Sequence, residues 1–207
     1  RQLLAVKQQT ELFSLTLNPN DGEQGVQCCG GEVTLLLEKV NPARPSIAIF
    51  GAGHVGTALV TVLSSLTVDV HLIDSRRAQL ETLDLQSATC NLQKIHAPIP
   101  ETALADVPDS AHLLVMTHDH AEDIAILDMA LRRVALGQGD FGFIGLIGSS
   151  AKWTHFKQNL LEQGHLEEAL DRITIPIGLD GIRGKQPEVI AISVAAQLLG
   201  YLELNDA

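Results

Sequence analysis

The sequence predicts an α/β fold, a parallel sheet with helices on both faces. Three observations predict it. Apolar runs and amphipathic segments alternate from Ser46 onward. The run Ile47-Ala48-Ile49-Phe50 leads straight into Gly51-Ala52-Gly53-His54-Val55-Gly56, a glycine turn between strand and helix. A second apolar run then ends in Asp74, roughly the 20 residues further on at which an acid meets a ribose. Together these features are a dinucleotide-binding fingerprint, and they predict a Rossmann-like doubly wound sheet.

Residues 1–40 have a different texture and predict a small β-containing N-terminal domain. Leu3, Leu4, Val6 and Lys7 read as the inside of a helix, so this domain is expected to be truncated. Phe13 to Leu17 alternates as a strand does, and a polar turn follows at Asn18 to Gly22. Val26-Gln27-Cys28-Cys29-Gly30-Gly31 leads into a second strand, Val33 to Glu38. Both strands offer edges for pairing across a homodimer. Pro42 and Pro45 make residues 41–45 a linker.

The C-terminal domain, 46–207, is read as follows. The first strand is 47–50 and its helix 54–65. Val68 to Asp74 is the second strand, and Ser75 to Leu83 is helical. Leu92 to Ile95 is the third strand and His112 to Thr117 the fourth. Ala121 to Leu136 is a helix with Ile124, Leu127, Leu131 and Val134 on one face. Phe141 to Ile147 is the fifth strand. Gly148-Ser149-Ser150 caps a helix reaching Glu162. Residues 176–186 form a glycine-rich loop, and Pro187 opens a last helix to Leu199. The expected strand order is 3-2-1-4-5. That order makes the loops after the first and fourth strands two walls of one crevice.

Composition removes several classes of function. A formal net charge of −11 argues against nucleic acid and against an anionic membrane surface. No apolar run approaches a membrane span, and nothing reads as a signal peptide. Three cysteines do not make a disulfide framework, so a reducing cytoplasm is expected. Aromatic residues are only 3% of the chain, so the core must come from Ala, Val, Leu and Ile.

Candidate site residues cluster in the loops. Gly51 permits the tight turn, Gly53 admits a pyrophosphate, and Gly56 lets helix pack on strand. Asp74 is placed to accept a ribose 2′-hydroxyl. Arg76 and Arg77 suit a 2′-phosphate, but Asp74 would repel one, which favours NAD over NADP. In His118-Asp119-His120, followed by Glu122 and Asp123, the acids suit a helix start. The two histidines, with His54 from the adjacent loop, are three imidazoles expected to converge. Such a group suits a metal, an oxyanion or a proton shuttle. Gly148, Ser149 and Lys152 form a second anion-binding helix start. The loop Gly178 to Lys185 carries Arg183 and Lys185 as an anion clamp; its plainer reading is a solvated turn. The Cys28-Cys29 turn suits a single thiolate, as nucleophile, sulfur carrier or soft-metal ligand, with buried structural cysteine as the alternative. Cys90 is expected in the core.

Several motifs occur in a fixed order. They are Gln27 to Gly31, Phe50 to Gly56, Ile73-Asp74-Ser75-Arg76, Thr117 to Asp123, Gly145 to Ser149 with Lys152 and Phe156, and Pro176 to Leu179 with Gly184-Lys185, Pro187 and Ser193 to Ala196. From about Phe13 to Leu199 the set resembles XdhC, the family of xanthine dehydrogenase accessory proteins. The resemblance implies a molybdenum cofactor chaperone rather than a catalyst in its own right. Such a chaperone supports sulfuration of the cofactor by a cysteine desulfurase and its handover to xanthine dehydrogenase. It makes Cys29 the first candidate for a thiolate near molybdenum and Cys28 the second. It makes the glycine loop, His118, His120, Lys152 and Lys185 ligands of the pterin phosphate or of a nucleotide. Two features depart from the family pattern. The family's further N-terminal portion, with a Gly-Ser-x-Pro turn and a glycine triplet, does not appear ahead of Gln27 in this sequence, so an incomplete cofactor site is expected, and Thr57 stands where an Arg often follows the glycine loop. The alternatives are an NAD(P)-dependent oxidoreductase and a nucleotide-sensing regulatory module.

Overall fold

The structure is a computed structural model and describes residues 10–17, 31–38, 44–83, 85 and 89–205. The chain divides into two compact units, 1–43 and 44–207. In the first, β1 (Thr10–Leu17) and β2 (Gly31–Glu38) form an antiparallel pair, with Thr10 opposite Glu38 and Leu17 opposite Gly31. The expected helix near residues 3–7 and the Cys28-Cys29 turn lie outside the described residues.

The second unit is built on one parallel sheet. Its strands are β3 (Ser46–Phe50), β4 (Asp69–Asp74), β5 (Asn91–His96), β6 (His112–Val115), β7 (Phe143–Leu146) and β8 (Ile173–Thr174). They lie in the order β5-β4-β3-β6-β7-β8, parallel throughout. The first five reproduce the expected order 3-2-1-4-5. The short β8 is a sixth strand that the sequence reading did not contain.

Alternation within the strands divides the core into two layers. Ala48, Phe50, Leu113, Val115, Ile144 and Leu146 face one side, against α3 (His120–Ala135), α4 (Ser150–Glu162) and a 3₁₀ helix, Pro100–Ala105. Ile47, Ile49, Val70, Leu72, Leu114 and Phe143 face the other, against α1 (His54–Leu63) and α6 (Pro187–Asn205). Both faces are buried, which is why these strands read as continuous apolar runs. The last helix extends past Leu199 because Leu198 and Leu202 continue its buried stripe. The helix after β4 is shorter than expected: α2 spans only Arg77–Glu81, since Arg76 before it is extended. A short α5 (Glu167–Leu170) precedes β8. Cys90 is buried, as expected, and burial pushes its thiol pKa up, towards inertness.

Candidate functional site

The C-terminal ends of β4, β3, β6 and β7 are joined by hydrogen bonds that run on beyond the strands. Gly51 N–H donates to the Ile73 carbonyl, Met116 N–H to Phe50, and Ile147 N–H to Val115. The glycine loop is thereby pressed against the end of β6. Gly51 has φ +119°, and a Cβ there would stand 2.3 Å from the Met116 carbonyl oxygen. A Cβ on Gly56 would stand 1.9 Å from the Gly51 carbonyl oxygen. Both glycines are demanded by close backbone approach. Gly53 is different: a Cβ there would meet nothing within 4 Å. Its freedom faces open space, where a ligand can come up to the backbone.

The three longer helices that follow β3, β6 and β7 start at this edge, and their N-termini are not equivalent. Asp119 caps α3 by accepting from Ala121 N–H at 2.7 Å. Ser149 caps α4 by accepting from Lys152 N–H at 3.4 Å. At α1 the cap position is Gly53, with no side-chain hydrogen bond. The leading N–H groups of α1 are therefore left for solvent or an anion. Asp119 and Ser149, expected to touch a ligand, instead complete their own helices.

Asp74 is 3% exposed and fully engaged. One carboxylate oxygen accepts from Ala52 N–H at 2.7 Å and from Arg76 Nη2 at 3.0 Å. The other accepts from the Arg76 N–H at 2.8 Å and from Arg76 Nε at 3.0 Å. Burial opposes ionisation, yet these bonds and the Arg76 charge hold the carboxyl below the ordinary carboxylate range. Hydrogen bonding to Asp74, with the charges of Asp74 and Glu122, keeps the guanidinium protonated against its own burial. A carboxylate offers about four lone-pair sites, and four donors occupy them. Asp74 ties the glycine loop to β4; no acceptor site remains for a ribose hydroxyl while Arg76 is docked. Sequence reasoning assigned Arg76 only to a 2′-phosphate and missed its bidentate bond to Asp74.

Lys152 is similarly committed. Its ammonium donates to Asp123 Oδ2 at 2.7 Å and to the Ile147 carbonyl at 2.9 Å. It lies 4.9 Å from the Phe156 ring centre. Asp123 has no solvent exposure, and its other oxygen accepts from Thr117 N–H and Oγ1 at 3.0 and 2.8 Å. This pair joins the β6 loop to the start of α4. Gly148 serves it, because a Cβ there would stand 2.6 Å from Lys152 Cδ. Asp123 was read from the sequence as an ordinary acid at a helix start. Its burial was not legible, because neighbouring Glu122 has the same local context and is only half-buried.

The three imidazoles do not gather into a metal centre. His118 Nδ1 faces Glu122 Oε2 at 3.6 Å. His120 packs edge-on against Phe156, ring centres 5.6 Å apart. His54 lines a separate groove of about 510 Å³ with Thr57, Pro187 and Glu188. Among the described residues no three His, Cys, Asp or Glu side chains are grouped to hold a metal ion.

The loop after β8 encloses a cavity of about 350 Å³, lined by Gly178, Asp180, Arg183 and Ser193 among others. Gly178 and Leu179 N–H groups donate to Gln197 Oε1 and Ser193 Oγ, at 2.7 and 2.8 Å, pinning the loop to α6. Arg183 rather than Lys185 lines the cavity; Lys185 is exposed beside it.

Known proteins share this architecture. The XdhC Rossmann domain family matches residues 47–198. The uncharacterized protein YqeB of Escherichia coli (strain K12) is 29% identical over 171 residues, which cover 83% of this chain and 30% of that protein. A crystal structure described as a xanthine dehydrogenase from Bacillus halodurans superposes with a TM-score of 0.61 at 25% identity. That match covers 89% of this chain and 47% of the other. The chain thus spans less than half the length of either relative. With its family's Rossmann domain matched across most of its length, the chain belongs to the XdhC Rossmann domain family.

Proposed function

We propose that this chain is a molybdenum cofactor chaperone acting in the maturation of xanthine dehydrogenase. The observation that carries the reading is the uncapped N-terminus of α1 in a chain of the XdhC family. The donor set fits the phosphate end of the cofactor: backbone N–H groups on an open helix start, with open space above Gly53. His118 and His120 stand exposed on the opposite wall. In this reading Cys29, with Cys28 second, supplies a soft thiolate for molybdenum. When bound, the cofactor would supply the redox and oxygen-transfer chemistry of the target enzyme. The chain's own part is to bind and shield it. A cysteine desulfurase and the molybdenum subunit of xanthine dehydrogenase are the partners, a homodimer the assembly, and the cytoplasm the setting.

The test is retention. The chain is mixed with molybdenum cofactor, passed through a sizing column, and assayed for pterin and molybdenum. Stoichiometric retention is expected, weakened by Gly53→Asp, which places an acid at the phosphate position, and by Cys29→Ala. No retained pterin, with full indifference to both substitutions, would sink the proposal.

A further inference from the structure

A second cation lies at the ends of β4 and β5. His96, the last residue of β5, is the register partner of Asp74. Its Nε2 donates to the Ser75 carbonyl at 3.1 Å. That bond fixes the ring orientation and leaves Nδ1 as an acceptor, to which Arg77 Nη2 donates at 3.4 Å. Arg77 is thus oriented by an imidazole lone pair and not by a carboxylate. Among the described residues, no salt bridge includes it. Most of its five N–H donors stay available.

The state of Asp74 gives this edge its meaning. A free acid here would accept a ribose 2′-hydroxyl and repel a 2′-phosphate. This acid has its four acceptor sites filled and its charge offset by a bidentate Arg76. Among the described residues at this edge, Arg77 is then a cation without a carboxylate partner. A nucleotide whose diphosphate rests on α1 directs its adenosine ribose toward the end of β4. There it meets the Arg77 guanidinium and not a free carboxylate.

We propose that Arg77, held in place by His96 against the Ser75 carbonyl, forms a phosphomonoester subsite. It takes the 2′-phosphate of an adenosine ribose, so the crevice accepts a 2′-phosphorylated dinucleotide in preference to its unphosphorylated counterpart. The proposal rests on the crevice being a ligand site, as above, but not on the pterin being its occupant. It reverses the preference for NAD drawn from Asp74 as an unpaired acid.

Calorimetric titration of the full chain at low salt compares 2′,5′-ADP with 5′-AMP. The bisphosphate is expected to bind about tenfold more tightly, the effect of one charge-assisted contact set. In Arg77→Ala that advantage falls to about twofold or less, with 5′-AMP affinity unchanged; Arg77→Lys keeps part of it, as a point charge without the fork. Arg77 is exposed, and a melting curve confirms that its variants fold. Equal affinities in the parent chain, an advantage that survives Arg77→Ala, or no binding of either nucleotide overturns the subsite. Pterin retention is unchanged in Arg77→Ala, so failure of the chaperone reading and failure of this subsite give different results.

Discussion

The Lys152 ammonium lies 2.7 Å from Asp123 Oδ2, a carboxylate with no exposure to solvent. Asp123 belongs to the first turn of α3 and Lys152 to the first turn of α4, so one ion pair locks two loops at the crevice edge. A buried charge left without its partner is costly. Lys152→Met is therefore expected to destabilise the fold by about 3–5 kcal/mol, and Asp123→Asn by a comparable amount. Asn at 123 still accepts from Thr117, so the double variant recovers much of the loss. The coupling in a denaturant double-mutant cycle should exceed about 1 kcal/mol. Additive losses would show that the pair is not an energetic unit.

The three loop glycines separate structural need from ligand need. Gly51→Ala must hold φ +119° with its Cβ inside contact distance of the Met116 carbonyl, and Gly56→Ala strikes the Gly51 carbonyl. Each is expected to cost about 2 kcal/mol or more. Gly53 has φ −74° and open space, so Gly53→Ala should leave stability within about 0.5 kcal/mol. It should instead weaken retention of any phosphate-bearing ligand. Thermal melts and retention assays on the same three variants check this. A strongly destabilised Gly53→Ala would contradict it.

His112 begins β6, is 4% exposed, and has an Nδ1 with no hydrogen-bond partner. Burial pushes its pKa below 6.5. Above that value the folded and unfolded chains both carry a neutral ring. Below it the unfolded chain binds a proton that the folded chain refuses, so stability falls as pH falls. The loss levels off once pH passes below the folded pKa. His71 is shifted in the same direction by burial, against the opposing effects of Asp69 and Gln93. Asp74 and Asp128 are shifted below 3.8, so their contributions are lost only in stronger acid. Urea midpoints between about pH 7 and pH 5 should drop more steeply in the parent than in His112→Leu. For one proton the slope cannot exceed about 1.4 kcal/mol per pH unit. Identical slopes would remove His112 as the cause.

Much of the fold was legible because its signals are local. A strand buried on both faces shows as an unbroken apolar run such as Ile47 to Phe50. A helix packed on one side shows as Ile124, Leu127, Leu131 and Val134 at helical spacing. β8 was missed because two residues carry no periodicity. Residues 75–83 read as a full helix because nothing local reveals that Asp74 holds Arg76 extended.

The sequence by itself determined the parallel sheet, the order of its five main strands and the place of the crevice. These follow from backbone chirality, apolar periodicity and glycine at a strand-to-helix turn, all of which act over short stretches of chain. The tertiary structure alone decided which polar groups remain available. Asp74 is filled by Ala52 N–H and Arg76, and Lys152 by Asp123. Asp119 and Ser149 close their own helices, while α1 stays open and Arg77 meets His96. A donor or acceptor can be used only as often as it has protons or lone pairs. Its partners here lie up to 29 residues away and meet only when the sheet brings their loops together.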